Sequence, residues 1–117
     1  MNALKNQVTL IGNLGADIDH TTYESDRRRA KVSLATNTFY KNKDGELVKE
    51  TQWHNIVGWG KLADTMNKVL CKGDHVMVQG KIIYRNYEKE SGQIQYITEI
   101  VINDFLKISK SPVANAA

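Results

Sequence analysis

Apolar and polar residues alternate with period two along most of this chain, and the period turns helical only once. Gln7 to Gly12 alternates as a first strand, closed by the turn-forming run Gly12-Asn13-Leu14-Gly15. Arg29 to Tyr40 predicts a long second strand, with Val32, Leu34 and Thr36 on one face and Ser33, Ala35 and Asn37 on the other. Asp44-Gly45 is a strong hairpin signal and returns the chain into a third strand ending near Trp59. Between Lys61 and Leu70 the apolar residues Leu62, Met66, Val69 and Leu70 fall on one helical stripe, and Lys72-Gly73 closes the helix. His75 to Tyr87 predicts a fourth strand, Glu90-Ser91-Gly92-Gln93 a hairpin tip, and Gln95 to Ile102 a fifth strand.

Three strands, one short helix and two further strands is the element order of a five-stranded Greek-key barrel, the OB-fold. Gly12, Gly58 and Gly80 lie within or at the ends of strands, where a small all-β barrel has to bend sharply. An SH3-like barrel is the nearest competitor, but it normally lacks a helix between strands three and four.

The third strand carries the most specific chemistry. Strand alternation puts Trp53, Asn55, Val57 and Trp59 on one face, and Gln52, His54, Ile56 and Gly58 on the other. Two large aromatics spaced by polar and small residues suit a surface on which nucleic acid bases stack. The competing role is a plug for the core or for a subunit contact. The fourth strand separates in the same way. Val76, Val78, Gly80, Ile82 and Tyr84 have the pattern of a barrel interior, whereas Lys81, Arg85 and Tyr87 place cations beside an aromatic near the hairpin tip.

Composition narrows the function classes. A chain of 117 residues has room for one domain and one core, and a net charge of +3 leans mildly towards a polyanionic partner. No apolar run approaches membrane-spanning length, and the first residues lead into no signal-peptide core, which predicts a cytoplasmic protein. The single Cys71 allows neither an internal disulfide nor a paired-cysteine metal clip. Gly12-Asn13-Leu14-Gly15 and Gly58-Trp59-Gly60-Lys61 both lack the spacing of a phosphate-binding P-loop. Asp17, Asp19 and His20 form a polar loop rather than a metal site, so neither metal nor cofactor is expected. Arg27-Arg28-Arg29 is equally consistent with phosphate contact and with ion pairing to Glu24 and Asp26.

The ordered set Gln7–Gly15, Ser33-Leu34-Ala35-Thr36, Thr51-Gln52-Trp53-His54, Gly60-Lys61-Leu62-Ala63, Leu70-Cys71-Lys72-Gly73 and Ser91-Gly92-Gln93 resembles the bacterial single-stranded DNA-binding proteins of replication and repair. The resemblance covers roughly residues 6–106. It implies a non-enzymatic OB-fold homotetramer that coats single-stranded DNA without sequence preference during replication, recombination and repair, in the cytoplasm at the nucleoid. By position it implies base stacking by Tyr40, Trp53, Trp59 and Tyr87, phosphate contact by Lys61, Lys72 and Arg85, and a place for His54 at the subunit interface. Tyrosine at 40 and 87 departs from the tryptophan often found there. Asn55, Ile83 and Asn86 stand where some relatives carry cations, which implies weaker or less salt-sensitive binding. The expected organisation is a DNA-binding domain over residues 1–106 and a short flexible tail over 107–117. No acidic residue follows Asp104, so recruitment of replication proteins through an acidic C-terminal tip is not expected. The runner-up is a primosome-type OB-fold interaction protein, with an RNA- or oligosaccharide-binding OB-fold third.

Overall fold

A computed structural model describes residues 3–109. Seven elements follow in the order β1 (Val8–Leu14), β2 (Asp19–Thr22), β3 (Arg28–Lys41), β4 (Leu47–Trp59), α1 (Lys61–Val69), β5 (His75–Glu88) and β6 (Ile94–Ser109). The strands pair as β1-β5-β6-β4-β3-β2, and a further β1–β3 pairing closes the first five of these into a barrel. All pairings are antiparallel except β4–β6, which is parallel and rests on two pairs, Ile56 with Ile100 and Val57 with Val101.

Alternation builds the core. Ala30, Val32 and Leu34 of β3 point inwards with Ile56 of β4, Val76 and Val78 of β5, and Ile100 and Ile102 of β6. Leu14 joins them from β1, and α1 plugs the barrel end with Ala63 and Met66. The expected helical stripe is corrected at one position: Val69 is exposed and Ala63 takes the buried place. Ala63, Met66 and Leu70, spaced i, i+3 and i+7, are the buried stripe, and Val69 falls beside it.

Three further corrections have physical causes. β1 does not turn at Gly12 but runs on to Leu14, because Gly12 pairs with Val76 while the next residue, Asn13, already pairs with Ala35 of β3. A Cβ at Gly12 would collide with the Ala35 carbonyl, so the missing side chain is what lets three strands meet. β2 is an additional strand, paired with residues 28–31 of β3. It is short and polar, and its turn into β3 uses positive φ at Ser25 (67°) and Asp26 (61°) instead of glycine, so no turn signal marks it. Finally, Tyr84 lies outside the barrel with 75% of its surface exposed. β5 and β6 continue past the barrel rim as a two-stranded arm, where alternation no longer means burial on either face.

β6 extends to Ser109, so Lys107 and Ile108 belong to a strand and not to the tail expected from residue 107. The Lys107 ammonium reaches the buried Asp74 carboxylate at 3.3 Å and donates to the Val69 carbonyl at 3.0 Å, tying the last strand to the end of α1. The remainder of that tail, residues 110–117, lies outside the described residues.

Asp64, in the first turn of α1, fastens the helix to the edge of the sheet. Its carboxylate accepts hydrogen bonds from His20 Nε2 at 2.9 Å and from Arg28 Nε at 2.9 and 2.8 Å. The bond from His20 holds the Asp64 carboxyl below the usual aspartate range; burial opposes that, and Arg28 adds a hydrogen bond and its charge in the same direction as His20. A folded value below the unfolded one means that this contribution is present at neutral pH and is lost as pH falls through the folded value. Asp64→Asn should therefore lower the thermal midpoint at pH 7 and flatten its decline below about pH 4. Thermal melts of both proteins between pH 3 and pH 7 check this, and parallel curves would show that Asp64 contributes nothing through its charge.

Candidate nucleic-acid interface

β3 and β4 form a continuous ladder from Arg29–Trp59 to Lys41–Leu47. Directly opposed residues share a face, so Trp53, Asn55, Val57 and Trp59 lie with Ala35, Ser33, Lys31 and Arg29 on the outer surface of the barrel. Trp53 is 62% exposed. The Cζ3–Cη2 edge of its ring approaches Gly15, where a Cβ would come within 2.5 Å of Cζ3 and 2.7 Å of the Ser33 hydroxyl oxygen. The missing side chain lets that edge of the indole close on the backbone, and the residue stays largely exposed. Trp59 does not extend this platform, because Val57 between them is 1% exposed and sunk into the surface. The two tryptophans are separate positions on one face.

A groove of about 310 Å³ runs beside Trp53, between β4 and β6, lined by His54, Asn55, Gln95, Tyr96 and Thr98. Asn55 crosses it by donating to the Thr98 carbonyl at 3.1 Å. Tyr87 stands on the adjoining arm, half-exposed, and its hydroxyl donates to Gln95 Oε1 at 2.9 Å. Arg85 is on the same face of the arm, but Glu99, only 8% exposed, lies 2.9 Å from its Nε. The contact is off the N–H axis, so it acts as a charge contact and not as an aligned hydrogen bond. Arg85 therefore has less free charge to offer than its position suggests.

The other expected binding residues are more dispersed. Tyr40 is exposed near the far end of the β3–β4 ribbon, but it is paired with Val48, on the face opposite Trp53; the register puts Phe39 and Lys49 on the tryptophan side. Lys61 is exposed at the start of α1. Lys72 is exposed in the loop after the helix, where its backbone N–H donates to Asp17 at 2.8 Å and holds that loop against the Gly15 turn beneath Trp53. His54 is half-buried, and its Nε2 shares a hydrogen bond with the Thr36 hydroxyl at 3.0 Å on the neighbouring strand.

The sequence model of the Single-strand binding protein family matches residues 5–108. The chain belongs to this family. Among its relatives, a single-stranded DNA-binding protein of Xanthomonas axonopodis pv. citri is 38% identical over 99 residues, covering 85% of this chain and 55% of that protein. Single-stranded DNA-binding protein 1 of Chlorobaculum tepidum is 39% identical over 100 residues, covering 85% of this chain and 62% of the relative. The chain thus spans less than two thirds of either relative. A solved structure described as the Plasmodium falciparum SSB complex with ssDNA superposes with a TM-score of 0.81 at 33% identity, over 89% of this chain and 95% of the other.

In this family member several groups beside the tryptophans escaped the sequence patterns. Lys31 and Arg29 lie on the Trp53 face by simple alternation from Ser33, a signal that was available in the sequence. Tyr96 and Tyr84 are exposed on the face of the arm opposite Tyr87, and only the end of the barrel distinguishes them from core residues. The triple arginine splits by role. Arg28 is committed to Asp64 and lies 3.6 Å from Asp26, Arg27 lies over Trp59, and Arg29 over Tyr23.

Proposed function

We propose that this protein binds single-stranded DNA without sequence preference and coats it during replication, recombination and repair, acting without catalysis in the cytoplasm at the nucleoid. The observation that carries this is the Trp53 ring, packed by one edge against Gly15 and otherwise largely exposed, on a surface that also bears Lys31 and Lys49. Bases of any identity offer a face to such a ring, and the cations meet the backbone. Membership of the single-strand binding family supports the same reading, and the names of the relatives give the ligand. Tyr87 and the groove beside Trp53 continue the path towards the arm, with Lys61 and Lys72 at its margins, and Tyr40 would join it only where the strand passes round to the other face of the β3–β4 ribbon.

The working form in this proposal is a homotetramer. Ile11, Met77 and Leu106 are neighbours by register across β1, β5 and β6, and they make an apolar row on the outside of the barrel. A second copy is the natural cover for such a row. His54 supplies a second contact elsewhere, and two distinct self-complementary contacts are what a tetramer with perpendicular two-fold axes requires.

One experiment tests both parts. Titration with oligo(dT), oligo(rU) and duplex DNA, followed by tryptophan fluorescence, should show tight binding and quenching with the first and much weaker binding to the duplex. Light scattering should give four chains for the parent and fewer for Met77→Lys, which places a cation in the apolar row. Equal affinity for duplex DNA would overturn the single-strand assignment, and a monomeric parent would overturn the tetramer.

A further inference from the structure

The guanidinium of Arg27 lies 4.3 Å from the centroid of the Trp59 ring, well inside cation–π range. Tyr23 closes the same cluster, with its ring 6.3 Å from that of Trp59 at an interplanar angle of 35°, and Arg29 sits over Tyr23 at 5.5 Å. We propose that Arg27, lying over Trp59, is a phosphodiester-binding site for the single strand, and that the strand meets this guanidinium instead of the bare indole. The inference rests on the reading of the protein as a single-strand binder and assigns how one end of its surface works.

Three features make this a built arrangement. The loop that carries Arg27 is anchored at both sides. The Tyr23 N–H donates to the Arg27 carbonyl at 2.6 Å, and the Gly60 N–H, next to Trp59, donates to the Arg28 carbonyl at 2.9 Å. The turn between them holds Ser25 and Asp26 at positive φ, a conformation that costs energy and persists only where the surroundings impose it. The neighbouring charges are already allotted: Asp26 is 3.6 Å from Arg28, and Arg28 fills the Asp64 carboxylate. Among the described residues Arg27 makes no ion pair, and its side chain is exposed.

The chemistry follows from the shape of the group. A guanidinium carries all its donors in its own plane, so stacking one face on an indole uses none of them. The rim stays available for the two non-bridging oxygens of a phosphodiester, and the outer face stays available to a base. Trp59 pre-orients the group and so lowers the entropy lost on binding. Strand geometry places this site roughly 20 Å from Trp53, six residues along β4, within the span of a short oligonucleotide.

The test uses the two tryptophans as separate reporters. In Trp53→Phe the remaining indole is Trp59, and saturating oligo(dT) should change its emission little, because the ring face is already occupied. Adding Arg27→Ala uncovers the ring, and oligo(dT) should then quench Trp59 strongly. Arg27→Ala alone should lower the log–log salt slope of oligo(dT) binding by about 0.7, and hence lower affinity by about fivefold at 0.1 M salt. Arg27→Lys should restore the slope. Circular dichroism confirms that each variant is folded. Strong quenching of Trp59 with Arg27 in place would overturn the proposal, since the strand would then displace the arginine. So would a salt slope unchanged by Arg27→Ala. If Trp59→Phe still reports oligo(dT) binding through Trp53 while Arg27→Ala has no effect, the Arg27 site fails and the single-strand assignment stands. A parent that does not bind oligo(dT) overturns both.

Discussion

Trp53→Ala should weaken binding of oligo(dT) by about 1–3 kcal/mol, roughly five- to over a hundredfold, while leaving the fold intact. The size follows from the environment of the ring. Only one edge of the ring meets Gly15 and the residue is 62% exposed, so the indole spends little of its area on the barrel and offers surface to a base. Trp53 is not part of the hydrophobic core cluster, to which β4 contributes Ile56 from its other face, so truncation leaves that cluster's packing in place. Fluorescence anisotropy with labelled oligo(dT), alongside a thermal melt, separates the two effects. Equal affinity in a folded Trp53→Ala protein would remove this ring from the interface. Lost affinity together with a much lower melting temperature would make its role structural.

Gly12→Ala should destabilise the barrel by about 3 kcal/mol or more, which for a domain of this size lowers the melting temperature by roughly 10 °C or more. The added methyl group would meet the carbonyl oxygen and carbon of Ala35, which are main-chain atoms and cannot rotate aside. β3 is held on its other side by its ladder to β4, so relief requires breaking the β1–β3 contact that closes the barrel. Thermal or urea denaturation measures the cost directly. A loss below about 1 kcal/mol would mean that β1 can shift away from β3 without harm.

Much of this architecture was legible in the residues, and what was hidden was hidden for definite reasons. Val76 and Val78 read correctly as interior, and Val32 and Leu34 as sharing one face, because each lies in a strand with one wet and one dry face. Asp44-Gly45 read correctly as a turn because Gly45 adopts φ 80°, which glycine tolerates best. Tyr84 follows the same alternation as Val78 yet is exposed, since periodicity marks a face without marking where the barrel ends. β2 could not be seen because Asp19–Thr22 has no apolar face to alternate.

The candidate site divides in the same way. Trp53 stands out by residue type and spacing. Its close edge contact depends on Gly15, distant in the chain and brought near by the closure of β1 on β3. The charge contact of Arg85 with Glu99 crosses a hairpin, and the seat of Arg27 on Trp59 depends on a loop that bends without glycine or proline. Local pattern carries neither. Family resemblance located Arg85 by position, but its neutralising partner is a property of this fold's three-dimensional arrangement.

The two-pair contact between β4 and β6 has a mechanical consequence. Every other joint of the closed barrel except β1–β3 is a longer ladder; the Gly15 N–H donating to the Ser33 carbonyl at 2.9 Å adds to β1–β3, and at β4–β6 the Asn55 side chain donating to the Thr98 carbonyl at 3.1 Å is the added tie. The β4–β6 joint is therefore a thin seam, and the groove beside Trp53 is where it gapes. A strand of DNA resting on Trp53 and reaching Tyr87 would bridge that seam like a suture. Ligand binding and resistance to local opening would then be one event, with coated DNA stiffening the barrel that holds it.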